Sequence, residues 1–349
     1  MVKMAPVVAA ARERFPEARH AVVHTGQHYD ELMSGVFLDE LSLPPPAHAL
    51  GVGSGTHAEQ VARTIERLGP VLAEERPDLV LVPGDVNSSA AAALACAATG
   101  VPVAHVESGL RSFDRSMPEE TNRILIDEVS ELLFHHCDEA AENLRAAGVA
   151  DGRIRFVGNT MIDTLVALEE SFRERAAAAD LGLEEASYLL VTLHRPALVD
   201  GPLLAEAIAR LRDVGEQLPV VFPLHPRTRG RIEGQGLGGG GLRFVDPVGY
   251  LDFLSLEADA AAVLTDSGGI QEETTFLGIP CFTLRANTER PITIRAGTNR
   301  LLGLDPARIA EIPGLIASGR PPRREPPPLW DGRAANRLVE DVEDFLASQ

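Results

Sequence analysis

Short runs of apolar residues recur along the chain, and longer stretches with helical spacing separate most of them. The runs are continuous and rich in β-branched residues, which is typical of parallel strands covered on both faces of a sheet. The predicted strands form two sets, at 20–24, 79–82, 101–106, 132–135 and 155–157, and at 188–193, 220–224, 242–245, 262–265 and 280–284. Alternating strands and helices predict an α/β protein with two Rossmann-like, doubly wound domains.

A polar helical stretch near 165–185 joins the two sets of predicted strands. We expect an N-terminal domain at 1–160 and a C-terminal domain at 161–332. The tail, 333–349, has helical periodicity and is expected to return to the first domain.

The first predicted element is a helix over 3–14, and the first strand comes only after it. A doubly wound domain ordinarily opens with a central strand and its phosphate-binding turn. We therefore expect that the first strand is missing and that the native protein starts upstream of Met1.

The net charge and the cysteines limit the partners and the cellular compartment that can be expected. The formal net charge is −19 and Lys3 is the only lysine, so the surface repels nucleic acid and anionic membranes. No segment reads as a membrane span or a signal peptide, and Cys96, Cys137 and Cys281 show no paired spacing. The sequence predicts a cytoplasmic protein without a metal or a cofactor, although 135–138 contains two histidines and a cysteine.

The most informative run is 265–273, which begins at the end of a predicted strand and continues into a predicted helix that ends at Gly278. The small residues Ser267, Gly268 and Gly269 leave N–H groups free at the helix start, where they favour an anion such as a phosphate. Glu273 lies about one turn further, where a carboxylate can accept hydrogen bonds from ribose. An ordinary capped helix after a strand explains the run equally well when the run is taken alone.

Eight motifs in order resemble the non-hydrolysing UDP-N-acetylglucosamine 2-epimerases over nearly the whole chain. They lie at 24–28, 84–88, 105–111, 117–123, 157–160, 192–195, 267–269 and 288–291. The resemblance implies a fold like that of the GT-B glycosyltransferases, with the active site in the cleft between the domains. It implies a UDP-sugar substrate and interconversion of UDP-N-acetylglucosamine and UDP-N-acetylmannosamine. We also expect a homodimer.

The chemistry of that reaction can be argued from the sugar. The hydrogen at C2 is not acidic because C1 is an acetal, so departure of UDP must assist its removal. Elimination then gives a glycal, and re-addition with a proton on the opposite face inverts C2. Such a route needs carboxylates near the sugar and cations near the diphosphate.

The resemblance assigns residues to these needs. By position in the motifs, Asp85, Glu107, Glu120 and His194 match the family's catalytic residues. The residues that match its substrate-binding positions are Lys3, Arg195, Phe253, Ser267, Gly268, Gly269, Glu273 and Arg290. Phe253 also reads as an ordinary core residue.

Three departures from the family are visible. The first is that the family's opening strand, with its diphosphate-facing arginine, is missing. The second is that the family usually has Glu-Asn shortly after the His-Arg pair, whereas here Pro196 follows Arg195 and no Glu-Asn occurs at that point. Gln27, His28 and Gln60 match a region in which many members bind a second, activating UDP-sugar. Asp30 and Glu59 place negative charge there, so we expect weak activation or none.

Three alternatives remain open. A related epimerase acting on a UDP-2,3-diacetamido-uronic acid would use the same fold. A GT-B glycosyltransferase would share the nucleotide-binding residues but would not need three carboxylates at the sugar. A protein that binds a UDP-sugar without turnover is the third.

Overall fold

The computed structural model describes residues 1–26, 38–224, 226–234, 241–317, 319 and 325–349. These residues form two compact units. Unit 1 comprises Met1–Val166 and Pro328–Gln349, and unit 2 comprises Ala167–Pro327. The boundaries expected from the sequence, at 160/161 and 332/333, stay a prediction. None of the described helices combines the length and the apolar character that a membrane crossing needs.

Unit 1 contains two parallel sheets. The four-stranded sheet has the order β3-β4-β5-β6, and the smaller one pairs β1 with β2. The strands are β1 Val23–His24, β2 His48–Ala49, β3 Val80–Pro83, β4 Val103–Val106, β5 Leu132–His135 and β6 Ile154–Phe156. Every residue of β4 and β5 is buried, as expected for strands covered on both faces.

Helices follow most strands of unit 1. They are α1 Ala5–Arg14, α2 His57–Glu75, α3 Asn87–Thr99, α4 Pro118–Val129, α5 Asp138–Ala146 and α6 Thr160–Ala167, with 3₁₀ turns at Val2–Met4 and Asp151–Arg153. The predicted N-terminal helix over 3–14 is thus confirmed, with a 3₁₀ turn as its first part.

The C-terminal segment packs into the core of unit 1. Leu338 and Val339 of helix Ala334–Ala347 contact the same apolar cluster as Val7 of α1 and Val106 of β4. The only tryptophan, Trp330, is buried, and its Nε1 donates to the carbonyl oxygen of His136 at 3.0 Å. The tail helix thus packs within unit 1, while the expected assignment of 333–349 to a first domain at 1–160 stays a prediction.

Unit 2 is built on one six-stranded parallel sheet. The strands are β7 Leu189–Thr192, β8 Val220–Pro223, β9 Leu242–Val245, β10 Ala262–Thr265, β11 Cys281–Thr283 and β12 Asn299–Leu301. Their order is β9-β8-β7-β10-β11-β12, which is the 3-2-1-4-5-6 order of dinucleotide-binding folds. Two Rossmann-like units therefore confirm the predicted fold class. The order in which strands are added reverses at the β7–β10 pair: β8 and β9 lie on one side of it, and β11 and β12 lie on the other. Such folds bind their ligands at this point.

The helices of unit 2 complete the α/β pattern. They are α7 Glu169–Glu174, α8 Ala177–Asp180, α9 Pro196–Val199, α10 Leu203–Gly215, α11 Pro226–Gly234, α12 Tyr250–Asp259, α13 Gly268–Leu277, α14 Ile292–Arg295 and α15 Ile312–Ile316, with a 3₁₀ turn at Pro306–Glu311; Ala334–Ala347 of unit 1 is α16. The predicted end of α13 at Gly278 is confirmed, since this glycine caps the helix with a φ of 78°.

The strand predictions were wrong at two kinds of position. The run 20–24 forms a strand only at Val23–His24, and β2 and β12 were not predicted. β12 has no apolar run of its own, and it forms because its residues pair with β11, for example Leu301 with Thr283. Such edge strands depend on a neighbouring strand and leave little local signal.

Asp163 ties the tail helix to unit 1 and gives a testable prediction. It is 5% exposed, and its carboxylate accepts from the backbone N–H groups of Ala334 (3.1 Å) and Ala335 (2.6 Å) at the start of α16. The substitution Asp163→Ala should lower the free energy of unfolding by about 2 kcal/mol, since it removes a helix cap. Urea unfolding followed by Trp330 fluorescence measures this in unit 1.

Asp163→Asn is the matched control, because it keeps one acceptor oxygen and should lose roughly half as much stability. An unchanged urea midpoint for the alanine variant would contradict the capping role.

Candidate active site

Two of the predicted catalytic carboxylates lie side by side at the carboxyl edge of the unit 1 sheet. Pro83 of β3 pairs with Val106 of β4, so the residues that follow both strands emerge together. Asp85 follows β3, and Glu107 follows β4 with a φ of 70°. A left-handed conformation is unusual for glutamate and marks a functional or strained position.

Lys3 contacts Glu107 directly. Its Nζ donates to Glu107 Oε2, and the two side chains are 21% and 8% exposed. A Cβ added at Gly84 would lie 3.1 Å from that carboxylate, so Glu107 also lies beside the turn that carries Asp85. The structure therefore brings Lys3, Glu107 and Asp85 close together, and their catalytic and binding roles stay a prediction.

Arg123 of α4 joins Asp85 to the third carboxylate. Its Nε and Nη2 donate to Asp85 Oδ2 at 2.9 and 2.6 Å, and its Nη1 donates to Glu120 Oε2 at 2.8 Å. The Arg123 side chain is 2% exposed, so both contacts form largely out of water. Arg123 ends the motif at 117–123 but is not among the predicted site residues, because a lone arginine on a helix carries no local signal for this role.

Glu120 is held more tightly than Asp85. Its carboxylate also accepts from the N–H (2.7 Å) and hydroxyl (2.9 Å) of Ser112 and from the N–H of Phe113 (3.1 Å). It is 2% exposed, whereas the Asp85 side chain is 24% exposed. Besides its predicted catalytic role, Glu120 thus fixes the loop after β4.

A buried charged network lies next to this group. His105 Nδ1 lies 2.6 Å from Asp127 Oδ1, and its Nε2 lies 2.9 Å from the carbonyl oxygen of Gly84. Asp127 also pairs with Arg111 at 2.6 Å. Sequence reasoning missed Asp127, because its partners become neighbours only when β3, β4 and α4 assemble.

Of the residues matched to the activator region, Gln27 and His28 lie outside the described residues. Gln60 accepts from Asn87 Nδ2 at 2.8 Å, and Asn87 accepts from Asn122 Nδ2 at 3.1 Å. Glu59 has a local structural role, since it forms a capping box with Thr56 at the start of α2.

His194 and Arg195 follow β7 in unit 2, beside the turn that follows β10. Thr192 pairs with Thr265, which brings Asp266 next to the two residues. Asp266 is 1% exposed; its carboxylate accepts from both backbone N–H groups and lies 3.0 Å from His194 Nδ1. The buried carboxylate therefore orients the histidine ring, while 56% of the His194 side chain remains exposed. Asp266 lies within the run 265–273, but its position in the sequence alone indicates no role for it.

The first turn of α13 has the properties of an anion site. Ser267 is the N-cap, but its side chain does not cap the helix, so the first N–H groups remain available to a ligand. A Cβ added at Gly268 would overlap the guanidinium of Arg290. Arg290 is 5% exposed and pairs with Glu289 and, at 3.1 Å, with Glu272. The structure therefore places a fixed cation at this helix start, next to Gly268.

Glu273 is buried in unit 2, whereas Phe253 is partly buried there. Glu273 Oε1 accepts from the hydroxyl of Tyr250 at 2.7 Å. Burial, together with the neighbouring carboxylate, raises the pKa of Tyr250 well above its usual value, so the phenol stays protonated and donates. Phe253 packs against the apolar cluster below α12. Ligand contacts of these two residues stay a prediction, as do the roles of the other matched residues.

Cysteine nucleophiles are disfavoured. All three cysteines are buried and free of disulfides. Burial raises the pKa of Cys96 to about 11 and that of Cys281 to about 12, so neither is a thiolate at neutral pH.

Comparison with known proteins agrees with this arrangement. Residues 10–343 match the model of the family described as UDP-N-acetylglucosamine 2-epimerase. The chain is 37% identical to UDP-N-acetylglucosamine 2-epimerase of Methanococcus maripaludis, over 98% of this chain and 95% of that protein. It is 39% identical to UDP-2,3-diacetamido-2,3-dideoxy-D-glucuronate 2-epimerase of Pseudomonas aeruginosa, over 91% and 90% respectively.

A solved structure gives the same picture. The Methanocaldococcus jannaschii UDP-GlcNAc 2-epimerase, crystallised in complex with UDP-GlcNAc and UDP, superimposes with a TM-score of 0.90 at 37% identity. The alignment covers 98% of this chain and 96% of that one. The chain belongs to the UDP-N-acetylglucosamine 2-epimerase family.

Proposed function

We propose that this protein interconverts UDP-N-acetylglucosamine and UDP-N-acetylmannosamine at C2 by elimination and re-addition of UDP. The observation that carries the proposal is the cluster of three carboxylate side chains in unit 1. In this cluster Arg123 links Asp85 and Glu120, and Lys3 contacts Glu107. A reaction that moves a proton at a weakly acidic carbon needs such acid–base groups close together. A glycosyl transfer does not need three carboxylates at the sugar.

Each set of residues has a part in this reaction. The carboxylates of unit 1 remove the C2 proton and return one on the opposite face. The helix start at Ser267–Gly269, Arg290 and Arg195 hold the diphosphate and stabilise its charge as it departs. His194, oriented by Asp266, contacts the leaving group or the sugar. Lys3 and Arg123 keep the carboxylates in place.

A second candidate is epimerisation of a UDP-2,3-diacetamido-uronic acid. The Pseudomonas aeruginosa relative that bears this name is as similar in identity as the Methanococcus maripaludis one, over a smaller part of the chain. Parallel assays with the two sugar nucleotides separate the candidates.

We further propose a homodimer in the cytoplasm that takes part in polysaccharide biosynthesis and needs no metal or cofactor. The three free cysteines support a reducing compartment. The net charge of −19 argues against nucleic acid as a partner.

The elimination route predicts incorporation of solvent deuterium at C2. We expect NMR in deuterated water to show one deuteron at C2 in both epimers, because the removed proton exchanges before re-addition. Slow release of UDP and a glycal should accompany turnover. Epimerised product that keeps its original C2 hydrogen would exclude the mechanism, and a transferase or a binding protein would leave C2 unlabelled.

The proposed roles of the three carboxylates predict that turnover falls when any one of them is replaced by its neutral amide. Asp85→Asn, Glu107→Gln and Glu120→Gln should each lower kcat by about 10²-fold or more, the usual scale for an acid–base group. UDP affinity measured by calorimetry should change little, since the proposed UDP contacts lie in unit 2.

Glu119→Gln is the matched control, because it makes the same substitution at the neighbouring residue of α4 and should leave kcat unchanged. Near-normal turnover in all three test variants would contradict the assignment.

The nucleotide contacts give a third prediction. Glu273→Ala should weaken UDP binding by roughly ten- to a hundredfold, the effect of a lost charge-assisted hydrogen bond. Tyr250→Phe removes the internal hydrogen bond to Glu273 but keeps its carboxylate, so its UDP affinity should stay within about threefold of wild type. Equal losses in both variants would mean that Glu273 acts only through the fold of unit 2.

A further inference from the structure

A polar pocket lies at the carboxyl ends of β4, β5 and β6 in unit 1. Its lining includes Lys3, Glu107, His136, Asn159 and Thr160. A carboxylate oxygen of Glu107 and a ring nitrogen of His136 lie within 4.8 Å of each other. The pocket thus adjoins one of the proposed catalytic carboxylates, but the role of Asn159 is not explained by the contacts described above.

The orientation of the Asn159 side chain is fixed by its own oxygen. Asn159 Oδ1 accepts from the N–H of Met161 at 3.0 Å, as a cap at the start of α6. A flipped amide would place its NH₂ group against that N–H, so the Oδ1 and Nδ2 positions are determined. The backbone before Asn159 packs closely against the segment that carries Leu329. A Cβ at Gly158 would overlap the carbonyl oxygen of Leu329, so this position requires glycine.

The Nδ2 group of Asn159 is a buried donor. The residue is 5% exposed, and no described residue accepts a hydrogen bond from Nδ2. Buried amide groups are nearly always paired, because leaving a donor unpaired is unfavourable. This rigid donor at the pocket lining therefore needs an acceptor oxygen that the described residues do not supply.

We propose that Asn159 Nδ2 donates a hydrogen bond to the acetamido carbonyl oxygen of the sugar. The inference rests on the proposed function: the acetamido group is attached to C2, the carbon whose proton the neighbouring carboxylates transfer. A carbonyl oxygen only accepts, and Nδ2 only donates, so the two groups match. Asn159 thereby recognises the 2-acetamido substituent and fixes C2 beside Glu107.

Two substitutions remove the donor and keep the helix cap. Asn159→Asp preserves the shape and the acceptor for Met161, and Asn159→Ser preserves a capping oxygen without adding charge. Calorimetric titration measures the affinities for UDP-N-acetylglucosamine, UDP-glucose and UDP. We expect both variants to bind UDP-N-acetylglucosamine about ten- to a hundredfold more weakly, with the affinities for UDP-glucose and UDP within about threefold of wild type.

Asn336→Asp is the matched control, since it makes the same change of charge at an exposed residue of α16 and should alter none of the three affinities. Unchanged affinity for UDP-N-acetylglucosamine in Asn159→Ser would overturn the proposal and leave Nδ2 to an ordered water. Equal losses for all three ligands would overturn it too, since they would indicate a general structural effect.

The titrations separate this inference from the proposed function. They report binding of the sugar nucleotide, or of its mixture with the epimer, whether or not turnover occurs. Acetamido-specific weakening without deuterium incorporation in the wild-type protein would refute the epimerase activity and retain the role of Asn159. Deuterium incorporation without that weakening would do the reverse.

Discussion

Parallel pairing of strands is the constraint on which the described structure depends. In each unit the strands point the same way, so the turns that follow them emerge at one edge of the sheet. Asp85 and Glu107 meet in unit 1 because Pro83 pairs with Val106. His194 and Asp266 meet in unit 2 because Thr192 pairs with Thr265. The register in which neighbouring strands pair thus decides which polar side chains become neighbours.

Local cations make these clusters possible in an acidic protein. The chain carries a net charge of −19, yet Arg123, Lys3 and Arg290 each lie against carboxylates in partly or fully buried positions. Removing one member of a buried ion pair leaves an uncompensated charge, so each pairing also constrains what can vary around it. Electrostatics therefore links the proposed chemistry to the stability of both units.

The supporting residues differ in how they act. Glu120 accepts four hydrogen bonds and holds the loop after β4, whereas Asp85 is bound on one oxygen and keeps partial exposure. Asp266 is buried below an exposed His194, a common way to orient a histidine at a ligand site. Buried residues that hold exposed side chains in fixed orientations favour a site that is already formed before the substrate binds.

The sequence by itself determined the α/β class, the two sets of parallel strands and the end of α13 at Gly278, because continuous apolar runs and turn glycines act locally. Ordered motifs also identified the family. Only the tertiary structure decided that β2 and β12 form strands, that Arg123 joins Asp85 to Glu120, and that Asp163 caps a helix far along the chain. These features depend on register and long-range packing, for which one residue and its neighbours carry no signal.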